Sequence, residues 1–313
     1  TAMRAISPAW KRIGQLLLTA VVTVFIFRQL GVSWQAVTTL NPDRWRPDPL
    51  WLAASLGMLG TAYLASGGLW GRMVQELGGP RLGVRKATAI YMTANLGRYI
   101  PGKIWQLVGL AVLARDAAVP PSLAAGAAVL GQVTALAGAS LVGSVALLSV
   151  PMGPGPLLAG GWTLLVLLVA GVPSIFTRVL TFAARLAGTE APLQRAPDPL
   201  FGVRWVLLYS FNWVLYAAAF WALARSFSLP GGPVAVGSSF AAAYVLGYLA
   251  LFAPAGIGVR EGFLVAFLGP IVGSRAVGLA VVARLWTTGV ELITARGAGS
   301  WAGMTQRRGG DET

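Results

Sequence analysis

Six charged side chains lie inside apolar stretches of this sequence, and their types suit binding an anion or moving a proton. Arg98 and Lys103 flank Pro101-Gly102, in a run that includes Asn95, Gly97 and Tyr99. A basic side chain at the centre of a bilayer costs about 2.5–3.5 kcal/mol on insertion scales. Two such groups call for pairing, hydration or a ligand. A helix starting near Lys103 would add free N–H groups and a positive dipole end, a setting that suits an anionic head group. The competing reading is that both side chains reach back to the cytoplasmic interface and anchor a turn. No carboxylate lies close to this run in the chain.

A second constellation contains Pro254, Gly256, Gly258, Arg260, Glu261 and Gly262. The glycines bend the chain and Arg260-Glu261 open the next short helix. Glu261 in a first helical turn complements the dipole. Arg260 would face a cavity while Glu261 pairs a buried cation; the alternative is a local charge pair and helix cap without a ligand. In the last apolar run Arg284, Thr288 and Glu291 stand at i, i+4 and i+7, on one helix face. Charged groups on an apolar span face the bundle interior. Glu291 or Glu261 would carry a proton, or serve in a structural ion link to the two interrupted segments. Asn95, Gln106, Gln132, Asn212 and Tyr99 are further polar candidates for the same interior.

The elements that must hold these residues follow from their interruptions. Proline lacks an N–H and glycine weakens a helix, so neither run is a continuous helix. Gly97, Pro101 and Gly102 form the first break; Pro254, Gly256, Gly258 and Gly262 form the second. Irregular backbone within a bilayer must be buried in protein or line a wet cavity. Interrupted helices in corresponding places of two halves point to a transport site.

The background is strongly apolar: of 313 residues 56% are hydrophobic and 11% charged, against about a quarter charged in soluble domains. The expected fold is an all-α polytopic membrane protein, a single domain over 1–303 with a disordered tail at 304–313. Six full transmembrane helices are expected, over 14–30, 50–71, 122–150, 156–177, 203–224 and 276–296. Two re-entrant hairpins, 84–114 and 234–273, complete an inverted repeat of half-units 10–150 and 156–303. The stretch 234–252 is long enough to cross outright, which would add a passage. Ala127, Gly131, Ala135, Ala139 and Gly143 form a smooth face for close helix approach. Trp34, Trp45, Trp51, Trp70, Trp205 and Trp301 are expected at the interfaces. Pro197 and Pro199 mark the linker between halves.

Lysine and arginine set the orientation. Segments assigned to one side hold 15 basic residues and those on the other hold 5. This places both termini in the cytoplasm. The same bias explains the net charge of +14, and nucleic acid is excluded as a partner because the basic residues flank spans. Cysteine and histidine are absent, which removes disulfides, thiol chemistry, zinc sites and histidine acid–base work. No cofactor and no metal are expected.

The two breaks also resemble a known family. Gly97-Arg98-Tyr99-Ile100-Pro101-Gly102-Lys103 is similar to the Gly-Arg-x-x-Pro-Gly-Lys signature of the lysylphosphatidylglycerol synthase transmembrane family. Pro254-Ala255-Gly256-Ile257-Gly258-Val259-Arg260-Glu261-Gly262 is similar to its Pro-x-Gly-x-Gly-x-Arg-Glu-Gly signature. The resemblance spans nearly the whole chain. It implies the flippase module of multiple peptide resistance factors, which moves aminoacylated phosphatidylglycerol to the outer leaflet of a bacterial-type inner membrane. Stand-alone members are linked to hopanoid and polyprenyl-glycan pathways, so the resemblance leaves the lipid open. Fused members carry a soluble transferase domain after the membrane part. This sequence stops at Thr313, and the expectation is that it does not make the lipid itself. Members often show a Glu-Arg pair where this chain has Gln132 and Val133.

The functional expectation is a lipid flippase, not an enzyme. It would move an anionic or aminoacylated phospholipid, or a polyprenyl-phosphate-linked lipid, through a central cationic cavity. Expected partners are the lipid head group, a second copy of the chain in a homodimer, and a separate lipid-modifying synthase. The alternative is a proton-coupled transporter of a small soluble anion, with Glu261 or Glu291 as proton carrier. A lipid-modifying enzyme lacks an evident nucleophile and base.

Overall fold

Prolines and aspartates start the long helices. The computed structural model describes residues 45–99, 105–149, 155–187, 198–250, 256 and 258–308. Asp48 caps helix α1 (Pro49–Glu76), its carboxylate accepting from the Leu50 and Trp51 N–H groups at 2.9 and 3.1 Å. Asp198 caps α7 (Pro199–Ser226) in the same way through the Leu200 N–H at 3.0 Å. In both, proline occupies the first helical position, where its missing N–H costs nothing.

Between and after these lie α2 (Val84–Asn95), α3 (Trp105–Leu113), α4 (Pro121–Ser144), α5 (Gly155–Gly171), α6 (Pro173–Ala187), α8 (Pro233–Leu249), α9 (Val259–Val272) and α10 (Arg275–Arg308). A 3-10 turn, Leu96–Tyr99, follows α2. No strand occurs among the described residues. The run long helix, short helix, break, short helix, long helix occurs as α1 to α4 and again as α7 to α10.

Four helices are long and apolar enough to cross a membrane: Pro49–Glu76, Pro121–Leu148, Leu200–Ser226 and Arg275–Gly297. They match the expected spans at 50–71, 122–150, 203–224 and 276–296. The span expected at 14–30 lies outside the described residues. The one expected at 156–177 is not a straight helix: α5 and α6 meet at Val172 with a bend of 92° and are apolar enough to cross only as a pair. Val172 precedes Pro173, a position that disfavours helix, and Pro173 then starts a new one. On α6, Phe176, Leu180 and Ala184 are buried while Arg178 and Arg185 are exposed, so α6 is an amphipathic helix turned off the span axis.

The four helices flanking the breaks are short. Even α8, with 17 residues, extends about 25 Å at 1.5 Å per residue, less than a hydrocarbon core of about 30 Å. Within the stretch 234–252, helix is described as far as Leu249. α10 is helical through Arg308, beyond the domain end drawn at 303, since no proline interrupts it.

Small residues bring the helices together. A Cβ at Gly138 would stand 2.6 Å from the Ser210 nitrogen on α7, and one at Gly143 would stand 2.7 Å from the Ala242 nitrogen on α8. The small face of α4 is therefore a packing surface. Trp70 and Trp205, expected at the interface, are instead fully buried, with Met73, Leu110 and Tyr209 in one apolar cluster. The Trp205 indole donates to Glu76 at 3.1 Å, and Arg204 reaches the same carboxylate at 2.6 Å. Trp51 does sit at a helix start, edge-on to Trp221. A second cluster joins Phe220, Phe240 and Trp286 across α7, α8 and α10. Outward, α5 exposes Leu157, Leu158, Leu164 and Leu168, an apolar surface that suits lipid.

Because Gly138 abuts backbone, Gly138→Leu is expected to cost about 1–3 kcal/mol by overpacking. Gly160→Leu, where the space around a Cβ is open, should stay within about 0.5 kcal/mol. Thermal unfolding of both variants in detergent checks this.

Candidate functional site

The two breaks are closed by contacts between their own arms. In the first, Asn95 at the end of α2 accepts a 2.6 Å hydrogen bond from the Gln106 amide at the start of α3. A Cβ at Gly97 would lie 2.7 Å from the Trp105 carbonyl carbon, so only glycine lets the arms approach this closely. In the second, Gly256 and Gly258 hold φ of +67° and +83°, left-handed backbone that favours glycine. A Cβ at Gly247 on α8 would lie 2.6 Å from that of Arg260 on α9.

Gly262 is corrected as a break residue: its N–H bonds the Gly258 carbonyl at 2.9 Å, inside the first turn of α9. Pro101, Gly102, Lys103 and Pro254 fall outside the described residues. Tyr99 closes the 3-10 turn in backbone.

One cavity joins both breaks. Its lining includes Asn95, Arg98 and Gln106 from the first, Gly247, Gly256 and Arg260 from the second, and Arg284, Thr287 and Glu291 from α10. Gln132 of α4 and Asn212 of α7 add amides to the lining. Its volume of about 120 Å³ holds several waters, given about 10–15 Å³ for one.

Ion pairs tie the charges to each other. Arg98 Nε stands 3.5 Å from Glu291 Oε1, and Glu291 is 2% exposed at its side chain. The first break therefore does have a carboxylate partner, supplied by α10 nearly two hundred residues later in the chain. Arg284 Nη1 stands 3.5 Å from Glu261 Oε1. Glu261 also accepts the Gly258 N–H through Oε2 at 2.7 Å, which caps α9. Both glutamates thus serve as ion links from hairpin to α10, one of the roles expected for them.

Arg260 is different. Its guanidinium lies over the Phe240 ring at 4.7 Å and the Tyr244 ring at 5.6 Å. Among the described residues no carboxylate stands within ion-pair distance of it. The group thus contains three guanidiniums and two carboxylates, an excess of one positive charge at Arg260. A guanidinium stacked on rings keeps its N–H fork open for a planar or tetrahedral anion.

Aromatic lining was missed from the sequence. The chain has seven tyrosines, and Tyr63, Tyr91, Tyr209, Tyr216, Tyr244 and Tyr248 all border this cavity. The signal was present: Tyr209, Trp213 and Tyr216 recur at i, i+4 and i+7, and Phe240, Tyr244 and Tyr248 at i, i+4 and i+8, each one helix face. Thr287, not Thr288, is the threonine of α10 that borders the cavity. Its carbonyl accepts from the Tyr63 hydroxyl at 3.3 Å. Ser66 accepts from the Asn212 amide at 2.8 Å and meets the Tyr216 hydroxyl at 3.1 Å.

Among the described residues no group of three or more histidine, cysteine, aspartate or glutamate side chains is gathered as a metal site would need.

The Arg98–Glu291 pair should be coupled. Arg98→Gln and Glu291→Gln, alone and together, are expected to show an interaction energy of about 0.5–3 kcal/mol. The double variant should be more stable than the sum of single losses predicts, because each single change strands a buried charge and the double change strands none. A double-mutant cycle on unfolding in detergent checks this.

Comparison with known proteins places a family model, the lysylphosphatidylglycerol synthase TM region, on residues 12–294. No curated protein matches the chain.

Proposed function

This chain belongs to the lysylphosphatidylglycerol synthase transmembrane family, and from that premise and the cavity chemistry we propose that it translocates an anionic lipid between leaflets. The head group would enter the cavity while the acyl or prenyl tails stay in the surrounding bilayer. Arg260 receives the phosphate. The observation that carries this reading is the guanidinium of Arg260, bordering the cavity without a carboxylate among the described residues.

A phosphate taken to mid-membrane without compensation faces a steep desolvation penalty. A fixed guanidinium fork replaces lost water with charge-assisted, paired hydrogen bonds. Free polar side chains and water in the cavity solvate the remaining oxygens.

In this reading the short helices about each break are re-entrant hairpins whose tips meet at the site. The recurrence of the α1–α4 order in α7–α10 supports an inverted repeat, with rocking of the two units giving alternate exposure. The Arg98–Glu291 and Arg284–Glu261 links join the hairpins to α10, so α10 is the element that would transmit motion between them. The reading is one of transport without covalent change to the lipid.

Proton-coupled uptake of a small soluble anion is the competing reading. It requires a carboxylate at liberty to take and release a proton. Glu261 is engaged by Arg284 and the Gly258 N–H, and Glu291 by Arg98, so this reading is the weaker.

In proteoliposomes carrying a fluorescent phospholipid, Arg260→Gln is expected to lower the leaflet-exchange rate at least tenfold. Arg204→Gln, on the surface beside Glu76, should leave it unchanged. Equal rates for Arg260→Gln and wild type would reject the mechanism. Uptake of a labelled soluble anion driven by a pH gradient would establish the competing one.

A further inference from the structure

Two amide atoms in the cavity have no role in the scheme above. Gln132 Nε2 and Asn212 Oδ1 are both buried and lack a hydrogen-bond partner among the described residues, and both residues border the cavity. Asn212 is 3% exposed. A buried polar atom left unsatisfied costs roughly 1–3 kcal/mol, so such atoms in a binding cavity mark where ligand atoms belong.

Resting on the anionic-lipid reading, we infer that the lipid's head group is a neutral polyol, a glycerol or sugar, carried on a singly charged phosphodiester. The charge follows from the side chains. Among the described residues two of the three arginines are matched by glutamates and Arg260 is not, so one negative charge balances this group.

The hydroxyls follow from the amides. One orphan atom is a donor and the other an acceptor, and an amide turned through 180° exchanges the two ends. A hydroxyl donates and accepts at once. It therefore satisfies both side chains in either orientation, which neither an ether, an alkyl group nor an ammonium does. The hydroxyl-rich wall points the same way, with Ser66 and Tyr216 linked to Asn212 on its other side.

An ammonium is disfavoured further. Glu261 and Glu291 already face arginines, and the Phe240 and Tyr244 faces are covered by Arg260. Gln132, which borders the cavity, is neutral and offers an ammonium no counter-charge. An aminoacylated head group would thus bring cationic charge to a site whose carboxylates are engaged.

The test compares three lipids by native mass spectrometry of the detergent-purified chain: phosphatidylglycerol, phosphatidylethanol and lysyl-phosphatidylglycerol. The first two carry the same single phosphodiester charge and differ in hydroxyls. Phosphatidylglycerol is expected to bind about tenfold more tightly than phosphatidylethanol, as two ordinary hydrogen bonds imply. It should also bind more tightly than the lysyl ester. Gln132→Leu and Asn212→Leu, with folding followed by size-exclusion elution, should each narrow the first ratio toward one.

Equal binding of phosphatidylglycerol and phosphatidylethanol by wild type would overturn the polyol inference and leave the anion site standing. So would tighter binding of the lysyl ester. Failure of both phosphatidylglycerol and phosphatidylethanol to bind, or binding indifferent to Arg260→Gln, would overturn the anionic-lipid reading itself. The wild-type ratio decides the matter even where a variant does not fold.

Discussion

Three arginines and two glutamates meet in an apolar helical bundle, and the rest of the molecule is arranged around that imbalance. Buried ion pairs do not add much net stability, because desolvation offsets attraction. Their effect is positional. Glu291 holds Arg98 of the first break and Glu261 brings Arg284 of α10 to the second, so the broken segments and the last long helix share one charged centre. With both carboxylates committed, Arg260 rests on aromatic faces at the cavity.

Holding such a centre between short helices demands unusually close backbone approach. Glycine supplies it: Gly97 against Trp105, Gly247 against Arg260, and Gly138 and Gly143 of α4 against α7 and α8. The Asn95–Gln106 hydrogen bond and the Glu261 cap on Gly258 then close the two breaks. These bonds give several polar groups at the breaks local partners, as a low-dielectric setting requires. Among the described residues, buried atoms without a hydrogen-bond partner include Gln132 Nε2 and Asn212 Oδ1, on two residues that border the cavity.

Much of this is legible in the chain because membrane burial penalises charge and irregular backbone so heavily. Arg98, Arg260, Glu261, Arg284 and Glu291 stand out in apolar runs, and all lie at one centre. Three things escape. The Arg98–Glu291 pairing joins residues far apart in the chain, and sequence proximity says nothing of it. The bend at Val172 is a single Gly-Val-Pro step inside an otherwise convincing apolar run, where average hydropathy conceals a local backbone restriction. Trp70 and Trp205 sit near helix ends, yet both are fully buried in one apolar cluster, the Trp205 indole bonding Glu76 at its rim. The helix starts at Pro47-Asp48-Pro49-Leu50 and Pro197-Asp198-Pro199-Leu200 mark the recurring order of elements, a signal visible only once both are seen to cap long helices.

Among the described residues the cavity thus combines a guanidinium without a carboxylate, neutral amides and a ring of tyrosines, in a family tied to membrane lipid. That combination suits a head group with a phosphate at one end and hydroxyls at the other. The most direct measurement is the lipid content of the protein after purification from membranes, by quantitative mass spectrometry, for wild type and Arg260→Gln side by side. The account predicts an anionic phosphodiester lipid enriched with the wild-type chain and lost from the variant. An identical lipid complement on both proteins would contradict it.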